Sequence, residues 1–486
     1  MICLDLCRNK NIAVIGFGKT GKVVVDCLMA VGATIYLYDD NGIDDEHYLG
    51  MFCDLLNFDW SNLDMVVISP GVSTLWPRRH RAIDFAHRYG VMPMSDIDLF
   101  RLHVGYSPTA KTAVSNQKVI GITGTNGKST TTALVGHVLA VANSKSCIGG
   151  NFGIAALSLA DDQDFYVLEL SSYNLDSSNI FGFDSAVLLN VTPDHLVRHG
   201  GMSGYIAAKQ KIFANFHAAS QAIVGIDDAH CREIYEFLKT LKYPNVIPIS
   251  GVKVPENGVG WCDGMLVDNR DVIRGTNGDY AKIICGRYDA LDGVHNRQNI
   301  AASYATCAVN GIDAEQFVPA LHSFRGLQHR QELVATFGGI QYINDSKATN
   351  AQSVKQAMMR FDNIFWILGG RPKEDGIESL IKYFHKVKHA FLLGEAASDW
   401  YNYLEYCGVQ AEISGTLDVA VLSAHALAQK EDTAVVLLSP ACASFDQFKN
   451  FEERGNVFTA IVREICAKSG ESTESSLGIV AGSYTT

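Results

Sequence analysis

Short apolar runs alternate with helical stretches along most of the 486-residue chain. In the first hundred residues, the runs at 11–16, 34–38 and 65–69 are apolar almost throughout, which is typical of buried strands. A helical pattern from Lys22 to Val31 separates the first two runs. Because parallel strands need crossover connections, this alternation predicts a parallel sheet whose strands are joined by helices.

The same alternation resumes at Lys118 and again near Phe324, so we expect three consecutive α/β domains. Residues 103–117 are polar and rich in turn formers, as linkers are. Residues 250–292 are rich in Gly, Asp and Asn, and they predict hairpins or an elaborated sheet edge. The predicted divisions are three domains and a loose tail rich in Ser, Gly and Thr, at 1–105, 106–326, 327–466 and 467–486.

Composition and charge narrow the class of protein. Hydrophobic residues make up 47% of the chain and charged residues 19%, which excludes wholesale disorder. The net charge of −12 argues against a broad nucleic-acid-binding surface. The twelve cysteines form no C-x-x-C pair, as expected of reduced thiols rather than a disulfide frame or a zinc site. No apolar run reaches the ~18 residues of a membrane helix and no secretory leader stands out, so we expect a soluble, cytoplasmic protein.

A first glycine-rich loop, GFGKTG, runs from Gly16 to Gly21 between a predicted strand and a predicted helix. Asp39 and Asp40 close the next strand, at the separation of about 20 residues that the dinucleotide fingerprint requires. In that fingerprint the glycines let a diphosphate approach the helix N-terminus, and the acid binds a ribose hydroxyl. Taken alone, the loop favours NAD, and a glycine turn that binds nothing is the alternative.

A second glycine-rich loop, GITGTNGKST, runs from Gly121 to Thr130. Backbone N–H groups of such a loop wrap phosphate oxygens, Lys128 offsets phosphate charge, and the Ser129 hydroxyl can ligate Mg²⁺. The strict G-x-x-x-x-G-K spacing is not met, because Gly121 stands one residue too early. Strand, Gly-Lys-Ser and helix are nevertheless all present, so the loop favours ATP over a purely structural turn.

Three further residues are candidates for metal or acid–base chemistry. Glu169 stands among apolar residues in YVLELSS, where a carboxylate is costly unless it is paired or binds a metal. His195, in NVTPDH, follows another predicted strand and is a candidate ligand, although a structural histidine is the alternative. Lys209, in YIAAKQK, lies on a predicted helix, where a solvated lysine is the default expectation.

Nine motifs in order along the chain carry a family resemblance. TGTNGKST, ELSSYNLD, NVTPDH, YIAAKQKI, HNRQNIAA and FRGLQHRQE resemble those of the ATP-dependent Mur ligases. NDSKATN, the GGRPK loop and LLSPACASFDQFKNFEERG are similar to those of the branch of that family that adds D-glutamate. The resemblance extends from Ile12 to about Ile465.

The resemblance implies an α/β fold of three domains. An N-terminal Rossmann-like domain binds the UDP part of the substrate, a central P-loop ATPase-type domain binds ATP, and a C-terminal Rossmann-like α/β domain binds the amino acid. In the implied reaction, ATP phosphorylates the carboxylate of UDP-N-acetylmuramoyl-L-alanine, and the amine of D-glutamate attacks the acyl phosphate. The products are an amide for peptidoglycan precursor synthesis, ADP and phosphate. ATP and Mg²⁺ are the implied cofactors, these small molecules are the expected partners, and we expect a monomer.

The resemblance also assigns roles to residues. Lys128 would hold phosphates, and two Mg²⁺ sites would use Ser129, Glu169, His195 and a carbamylated Lys209, whose oxygens suit a hard metal. The implied catalytic residues are Lys128, Glu169, His195 and Lys209. The implied ATP contacts are Gly124, Thr125, Asn126, Gly127, Lys128, Ser129, Thr130, Asn296, Asn299, Arg330 and Asp345. The implied UDP-substrate contacts are Gly16, Phe17, Gly18, Lys19, Thr20, Asp39, Asp40, Gly71 and Asn151. The implied amino-acid contacts are Thr349, Lys373, Ser444 and Phe451.

Three alternatives stay open on the sequence alone. A sister Mur ligase or a folylpolyglutamate-type ligase would share the ATP site and differ in the third domain. The Asn-Pro-Arg motif of the diaminopimelate-adding enzymes does not occur. An NAD-dependent dehydrogenase would use GFGKTG and leave TGTNGKST without a role. A nucleotide-regulated binding protein would hold or hydrolyse ATP without making a bond.

Overall fold

A computed structural model describes residues 2–107, 112–113, 116–241, 245–270, 281–283, 291, 294–372 and 376–468. The chain divides after Phe324 into two units. Lys373 and residues 469–486 of the predicted tail lie outside the described residues. The division of the chain into three domains stays a prediction.

In the described part of the first unit, one sheet consists of four parallel strands: β1 (Asn11–Ile15), β2 (Thr34–Tyr38), β3 (Met65–Ile68) and β4 (Pro93–Met94). They pair in the order β2-β1-β3-β4. The helices of this region are α1 (Lys19–Ala30), α2 (Arg81–Arg88) and α3 (Asp96–His103). Helix α1 begins at Lys19 rather than at the predicted Lys22, because Gly18 already has the extended conformation of an N-cap residue.

A short antiparallel pair, β5 (Tyr106–Ser107) and β6 (Thr112–Ala113), lies within the predicted linker. The second sheet of the first unit follows. Its strands are β7 (Lys118–Thr123), β8 (Ser146–Gly150), β9 (Phe165–Glu169), β10 (Ser185–Leu188), β11 (Gln221–Gly225), β12 (Val246–Ile249), β13 (Val259–Cys262), β14 (Met265–Asp268) and β15 (Ala281–Ile283). Their order is β15-β14-β13-β12-β11-β10-β7-β9-β8.

The second sheet is parallel from β8 to β13 and becomes antiparallel at β14 and β15. This edge confirms the hairpins predicted for 250–292 as far as the described residues reach. The helices of this region are α4 (Lys128–Val141), α5 (Ser172–Ser177), α6 (Leu196–His199), α7 (Met202–Gln210), α8 (Ala229–Thr240), α9 (Val294–Val309) and α10 (Ala314–Ser323).

In the second unit, the described strands are β16 (Glu332–Phe337), β17 (Ile340–Asn344), β18 (Ile364–Gly369), β19 (Val387–Leu393), β20 (Ala411–Gly415) and β21 (Ala434–Leu438). They pair in the order β16-β17-β21-β18-β19-β20, with only β16 antiparallel to its neighbour. The helices are α11 (Ala351–Arg360), α12 (Ala397–Tyr406), α13 (Leu417–Ala428) and α14 (Phe451–Lys468). The predicted α/β class is confirmed.

The central strands of each sheet are buried along their length, as the continuous apolar runs predict. Every residue of β3, β10, β18 and β21 is buried. In such sheets, ligands bind beyond the carboxyl ends of the parallel strands. Both glycine-rich loops follow strands of this kind, β1 and β7. Each described helix is too short or too polar to cross a membrane.

Candidate active site

The loop after β1 makes a tight turn that only glycine accommodates easily. Gly16 has φ +91°, and a Cβ atom there would lie 2.9 Å from Cβ of Ser69. The Ser69 hydroxyl donates to the carbonyl oxygen of Gly16 at 2.7 Å, and the N–H of Phe17 donates to Oδ2 of Asp39 at 2.6 Å. Asp39 therefore stabilises the conformation of the Gly16–Gly21 loop through this hydrogen bond. Asp40 accepts hydrogen bonds from Tyr38 at 3.0 Å and pairs with His80 at 3.2 Å.

The loop after β7 turns directly into α4, which begins at Lys128. Gly127 has φ +84°, and a Cβ atom there would lie 2.2 Å from Oδ1 of Asn299. Glycine is thus required by conformation and by space. Nζ of Lys128 donates to the carbonyl oxygens of Gly124 at 2.9 Å and Thr125 at 2.8 Å, so its ammonium group lies over the loop.

Asn190 holds this second loop in place, a role that the sequence did not predict. The N–H of Asn126 donates to Oδ1 of Asn190 at 2.8 Å, and Nδ2 of Asn190 donates to the carbonyl oxygen of Asn126 at 3.2 Å. The N–H of Thr125 donates to the backbone oxygen of Asn190 at 2.8 Å. Nδ2 of Asn190 also donates to Oε1 of Gln298 at 3.0 Å. The N–H groups of Thr125 and Asn126 thus donate to Asn190. The N-terminus of α4 is therefore the part of this region that is suited to bind an anion.

A buried carboxylate links the start of α4 to the end of β9. Glu169, the last residue of β9, is 2% exposed. Its Oε2 accepts a hydrogen bond from the Ser129 hydroxyl at 2.6 Å, and its Oε1 accepts one from Nδ2 of Asn151 at 2.8 Å. The structure therefore brings Ser129, Glu169 and Asn151 together, and the family resemblance assigns Asn151 to the UDP-linked substrate.

Lys209 is 1% exposed, not solvated as a helical lysine usually is. Its Nζ donates to the carbonyl oxygen of Gly124 at 2.8 Å and lies 4.9 Å from the centre of the Tyr205 ring. Burial, with the nearby charge of Lys128, holds the pKa of Lys209 well below its usual range. His195 is half exposed, has φ +51°, and lies 3.5 Å from Asp194.

A cavity of about 820 Å³ in the first unit brings most of these groups together. Its lining includes predicted substrate and catalytic residues: Gly16, Gly18, Lys19, Thr20, Asp39, Asp40, Gly71, Lys128, Asn151, His195 and Lys209. It also includes Asp96 and Asp194, which the sequence did not single out. Burial raises the pKa of Asp96 to about 6. Residues of both glycine-rich loops therefore line the same cavity.

Asn296 and Asn299, predicted at the nucleotide, lie on α9. Nδ2 of Asn299 donates to Oδ1 of Asn296 at 3.0 Å, and Oδ1 of Asn299 accepts from the Thr131 hydroxyl at 3.4 Å. Asn299 thus lies against Gly127 and the first turn of α4, and Thr130 belongs to the same turn.

The second unit groups its predicted residues around the ends of β17 and β21. Asp345 is buried and accepts hydrogen bonds from the Ser439 hydroxyl at 2.7 Å and from the N–H of Gln331 at 3.2 Å. Burial raises its pKa to about 7, although Ser439 and the charge of Arg330 act in the opposite direction. Thr349 lies in the same β17–α11 connection.

Phe451 and Ser444 flank an arginine that the sequence did not single out. Arg454, in α14, is buried and donates to the Ser346 hydroxyl at 3.0 Å and to the carbonyl oxygen of Cys442 at 3.2 Å. The Ser346 hydroxyl in turn donates to the carbonyl oxygen of Phe451 at 2.8 Å. Arg454 thereby ties together the segments that carry Asp345, Ser444 and Phe451.

Two family models match the chain. The model described as "Mur ligase middle domain" matches residues 122–307, and "Mur ligase, glutamate ligase domain" matches residues 329–442. The chain is 41% identical over 472 residues to UDP-N-acetylmuramoylalanine–D-glutamate ligase from Caulobacter vibrioides, covering 96% of this chain and 98% of that protein. It is 42% identical over 469 residues to the enzyme of the same name from Rhodospirillum rubrum, covering 94% and 95%.

The chain belongs to the Mur ligase family. The family resemblance predicted from the nine motifs is confirmed. All of the first unit's site residues from Gly124 to Asn299 fall within the segment matched as the middle domain, and Arg330 to the carbonyl of Cys442 fall within the glutamate ligase segment.

Solved structures of this Mur ligase's relatives have the same fold. UDP-N-acetylmuramate–alanine ligase from Thermotoga maritima matches with a TM-score of 0.56 at 16% identity, covering 94% of this chain and all of that chain. A MurF ligase from Thermotoga maritima, solved in complex with ADP, matches with a TM-score of 0.53 at 16% identity, covering 96% and 98%. At this identity the likeness concerns the fold alone.

The donor set around Glu169 fits a hard divalent cation. A hydroxyl and a carboxylate within hydrogen-bond distance, both nearly buried, offer the oxygen ligands that Mg²⁺ prefers and leave positions for phosphate oxygens and water. Among the described residues, no group of three or more His, Cys, Asp and Glu side chains could hold a metal alone.

Proposed function

We propose that this Mur ligase uses ATP to join D-glutamate to UDP-N-acetylmuramoyl-L-alanine, giving the amide, ADP and phosphate for peptidoglycan precursor synthesis. The observation that carries the proposal is the single cavity lined by the Gly16 loop, Lys128 and Lys209. The names of the relatives at 41% and 42% identity support the choice of substrates.

The shared cavity suits a reaction that activates a carboxylate. A free carboxylate is a poor acyl donor because its oxygen is a poor leaving group, and phosphorylation supplies a better one. The enzyme has to place the carboxylate next to the terminal phosphoryl group of ATP and offset the crowded negative charge. Lys128 and the N-terminus of α4 supply positive potential at that place.

Ser129 and Glu169 would hold one Mg²⁺, and His195 with a carbamylated Lys209 would hold a second. When bound, the cations would draw charge from the phosphoryl oxygens. Burial lowers the pKa of Lys209 and so favours the neutral amine, which is the form that reacts with carbon dioxide to give a carbamate.

The remaining residue roles are part of the same proposal. Gly16 to Thr20, with Asp39, Asp40, Gly71 and Asn151, would bind the UDP part of the substrate, since they line the cavity or hold the loop that does. Thr349, Lys373, Ser444 and Phe451 would bind D-glutamate, and Arg330 and Asp345 would contact ATP. A monomer that works in the cytoplasm completes the proposal.

A phosphate-release assay with a panel of amino acids tests this function. With ATP, Mg²⁺ and UDP-N-acetylmuramoyl-L-alanine present, we expect release to depend on D-glutamate and to fall to background with L-glutamate, L-alanine or meso-diaminopimelate. Stimulation by another amino acid would replace the proposed substrate with that of a sister ligase. Phosphate release at the same rate without the UDP-linked acceptor would contradict ligase activity. Binding of NAD(H) by a protein that releases no phosphate would favour a dehydrogenase.

A further inference from the structure

The loop after β3, residues 69–77, contacts helices α5 and α6 of the same unit. These contacts have no role in the proposed reaction. Ser69, Gly71 and Ser73 of this 69–77 loop line the cavity. The Ser69 hydroxyl also bonds to the carbonyl oxygen of Gly16 at 2.7 Å. A displacement of the 69–77 loop would therefore disturb the Gly16 turn as well.

Arg198 forms the centre of the attachment. Its Nη1 donates to the carbonyl oxygen of Trp76 at 3.3 Å, and its Nη2 donates to that of Val72 at 3.2 Å. Nη1 also pairs with Oδ2 of Asp176 at 2.8 Å. The arginine is 9% exposed, so these contacts are made out of water, where a charged hydrogen bond contributes most.

Two further contacts complete the attachment. The Thr74 hydroxyl donates to the same Oδ2 of Asp176 at 2.5 Å, so the loop and the arginine share one carboxylate oxygen. Gly200 has φ +68°, and a Cβ atom there would lie 2.6 Å from the Trp76 ring, so the end of the loop packs on bare backbone. Arg198 and Gly200 both lie within five residues of His195.

We propose that Arg198 is a positioning residue that holds the 69–77 loop in the shape that binds the UDP-linked substrate. Asp176 and Thr74 contribute to the same contacts, because Oδ2 of Asp176 binds both Arg198 and the Thr74 hydroxyl. The inference rests on the proposed function, because it concerns the binding of that substrate. The contacts described for the attachment are made by Val72, Thr74, Trp76, Asp176, Arg198 and Gly200, and none of these residues belongs to the Gly124–Thr130 loop. We therefore expect the attachment to affect the binding of the UDP-linked substrate more than the binding of ATP.

A buried arginine can also matter only for folding, and the first unit contains a matched control. Arg101 is 1% exposed and donates to the carbonyl oxygens of Phe181 at 2.8 Å and Gly182 at 2.6 Å. Like Arg198, it is bound by backbone carbonyls, but Phe181 and Gly182 do not line the cavity, whereas Val72, which Arg198 binds, does. A substitution of Arg101 therefore shows how much stability and activity the protein loses when a buried arginine is disturbed away from the cavity.

The test compares KM for the UDP-linked acceptor with KM for ATP in full-length variants. We expect Arg198→Lys to raise KM for UDP-N-acetylmuramoyl-L-alanine about tenfold and to leave KM for ATP within about twofold of wild type. Thr74→Val should raise KM for the acceptor about threefold, and Thr74→Ser, which keeps the hydroxyl, should restore it. Arg101→Lys should lower the melting temperature without separating the two KM values.

Wild-type KM for the acceptor in both Arg198→Lys and Thr74→Val would overturn the inference, as would an equal rise in both KM values. If Arg198→Lys fails to fold, the Thr74→Val and Thr74→Ser pair decides, because Thr74 is only half-buried. A wild-type enzyme that does not use the acceptor would overturn the proposed function and the inference together. An active wild type with unchanged variants would overturn the inference alone.

Discussion

The Ser129 hydroxyl donates a hydrogen bond of 2.6 Å to Oε2 of Glu169, so the first turn of α4 and the last residue of β9 meet at one carboxylate. The two residues are 40 positions apart in the chain. Parallel pairing of β7 with β9 places them together, because Ile122 lies opposite Glu169 in the register. The sheet, and not a local motif, therefore brings this hydroxyl and this carboxylate together.

Glu169→Gln should abolish turnover without unfolding the protein. The amide keeps the size of the side chain and can still bond to Ser129, but it removes the negative charge that a divalent cation needs. We expect the rate of phosphate release to fall by on the order of a hundredfold to a thousandfold. Glu233→Gln, on the exposed face of α8, is the control and should keep wild-type activity. Near-wild-type turnover in Glu169→Gln would remove Glu169 from the site.

Lys209→Ala should lose most activity, and formate or acetate should restore part of it. A small carboxylate can occupy the space of the side chain and supply the oxygens of a carbamate. The measurement is phosphate release by the variant with and without added carboxylate. Lys239→Ala, at the exposed end of α8, should stay active and ignore the additive. Full activity of Lys209→Ala without any carboxylate would show that Lys209 is dispensable.

Asn190→Ala should raise KM for ATP about tenfold, because the loop tip at Asn126 loses two hydrogen bonds from one side chain. KM for the UDP-linked acceptor should change much less. Asn190→Asp loses the donor and adds a negative charge next to the loop, so its KM for ATP should also rise. Equal KM values for ATP in all three proteins would contradict a role of Asn190 in shaping the loop.

Asp345 should make the stability of the protein depend on pH. Its pKa is raised from 3.8 to about 7 by burial, so the folded protein retains a proton that the unfolded chain loses above pH 3.8. This contribution to stability is fully present below pH 3.8 and is lost as pH rises through about 7.

Asp345→Asn is neutral at every pH and should lack this loss. The free energy of unfolding of wild type relative to Asp345→Asn should therefore fall by on the order of 4 kcal/mol between pH 4 and pH 8. Denaturant titrations over that range measure it, with Asp399→Asn on the exposed face of α12 as the control. A difference that does not change with pH would mean that Asp345 is ionised throughout.

Local features of the site could be predicted from the sequence, because each is written in neighbouring residues. The turn at Gly127 and a helix directly after it follow from glycine between a strand and a helix, although α4 already begins at Lys128, within the predicted loop. The contacts that hold the loops could not be predicted in this way. Asn190 reaches Asn126 across 64 positions, and Arg198 reaches Val72 across 126, so only the folded sheet order pairs them.

The sequence pattern missed several strands at sheet edges, and it also missed the internal strands β11 and β12. In the last part of the chain, the apolar runs GGIQYIND, NIFWILGG, HAFLLGE and AVVLLSP predict β17, β18, β19 and β21, but no such run predicts β16 or β20. In both, every residue is half-buried or exposed, so no long apolar run predicts them. Strand β8 was missed because it ends in two glycines, which strands usually avoid.

Transfer of an oxygen atom from the acceptor carboxylate to phosphate tests the central claim most directly. UDP-N-acetylmuramoyl-L-alanine labelled with ¹⁸O in its carboxylate is incubated with ATP, Mg²⁺, D-glutamate and the enzyme, and the released phosphate is analysed by mass. Formation of an acyl phosphate predicts one labelled oxygen in each phosphate released. Unlabelled phosphate, formed while the amide accumulates, would contradict activation of the carboxylate by phosphoryl transfer.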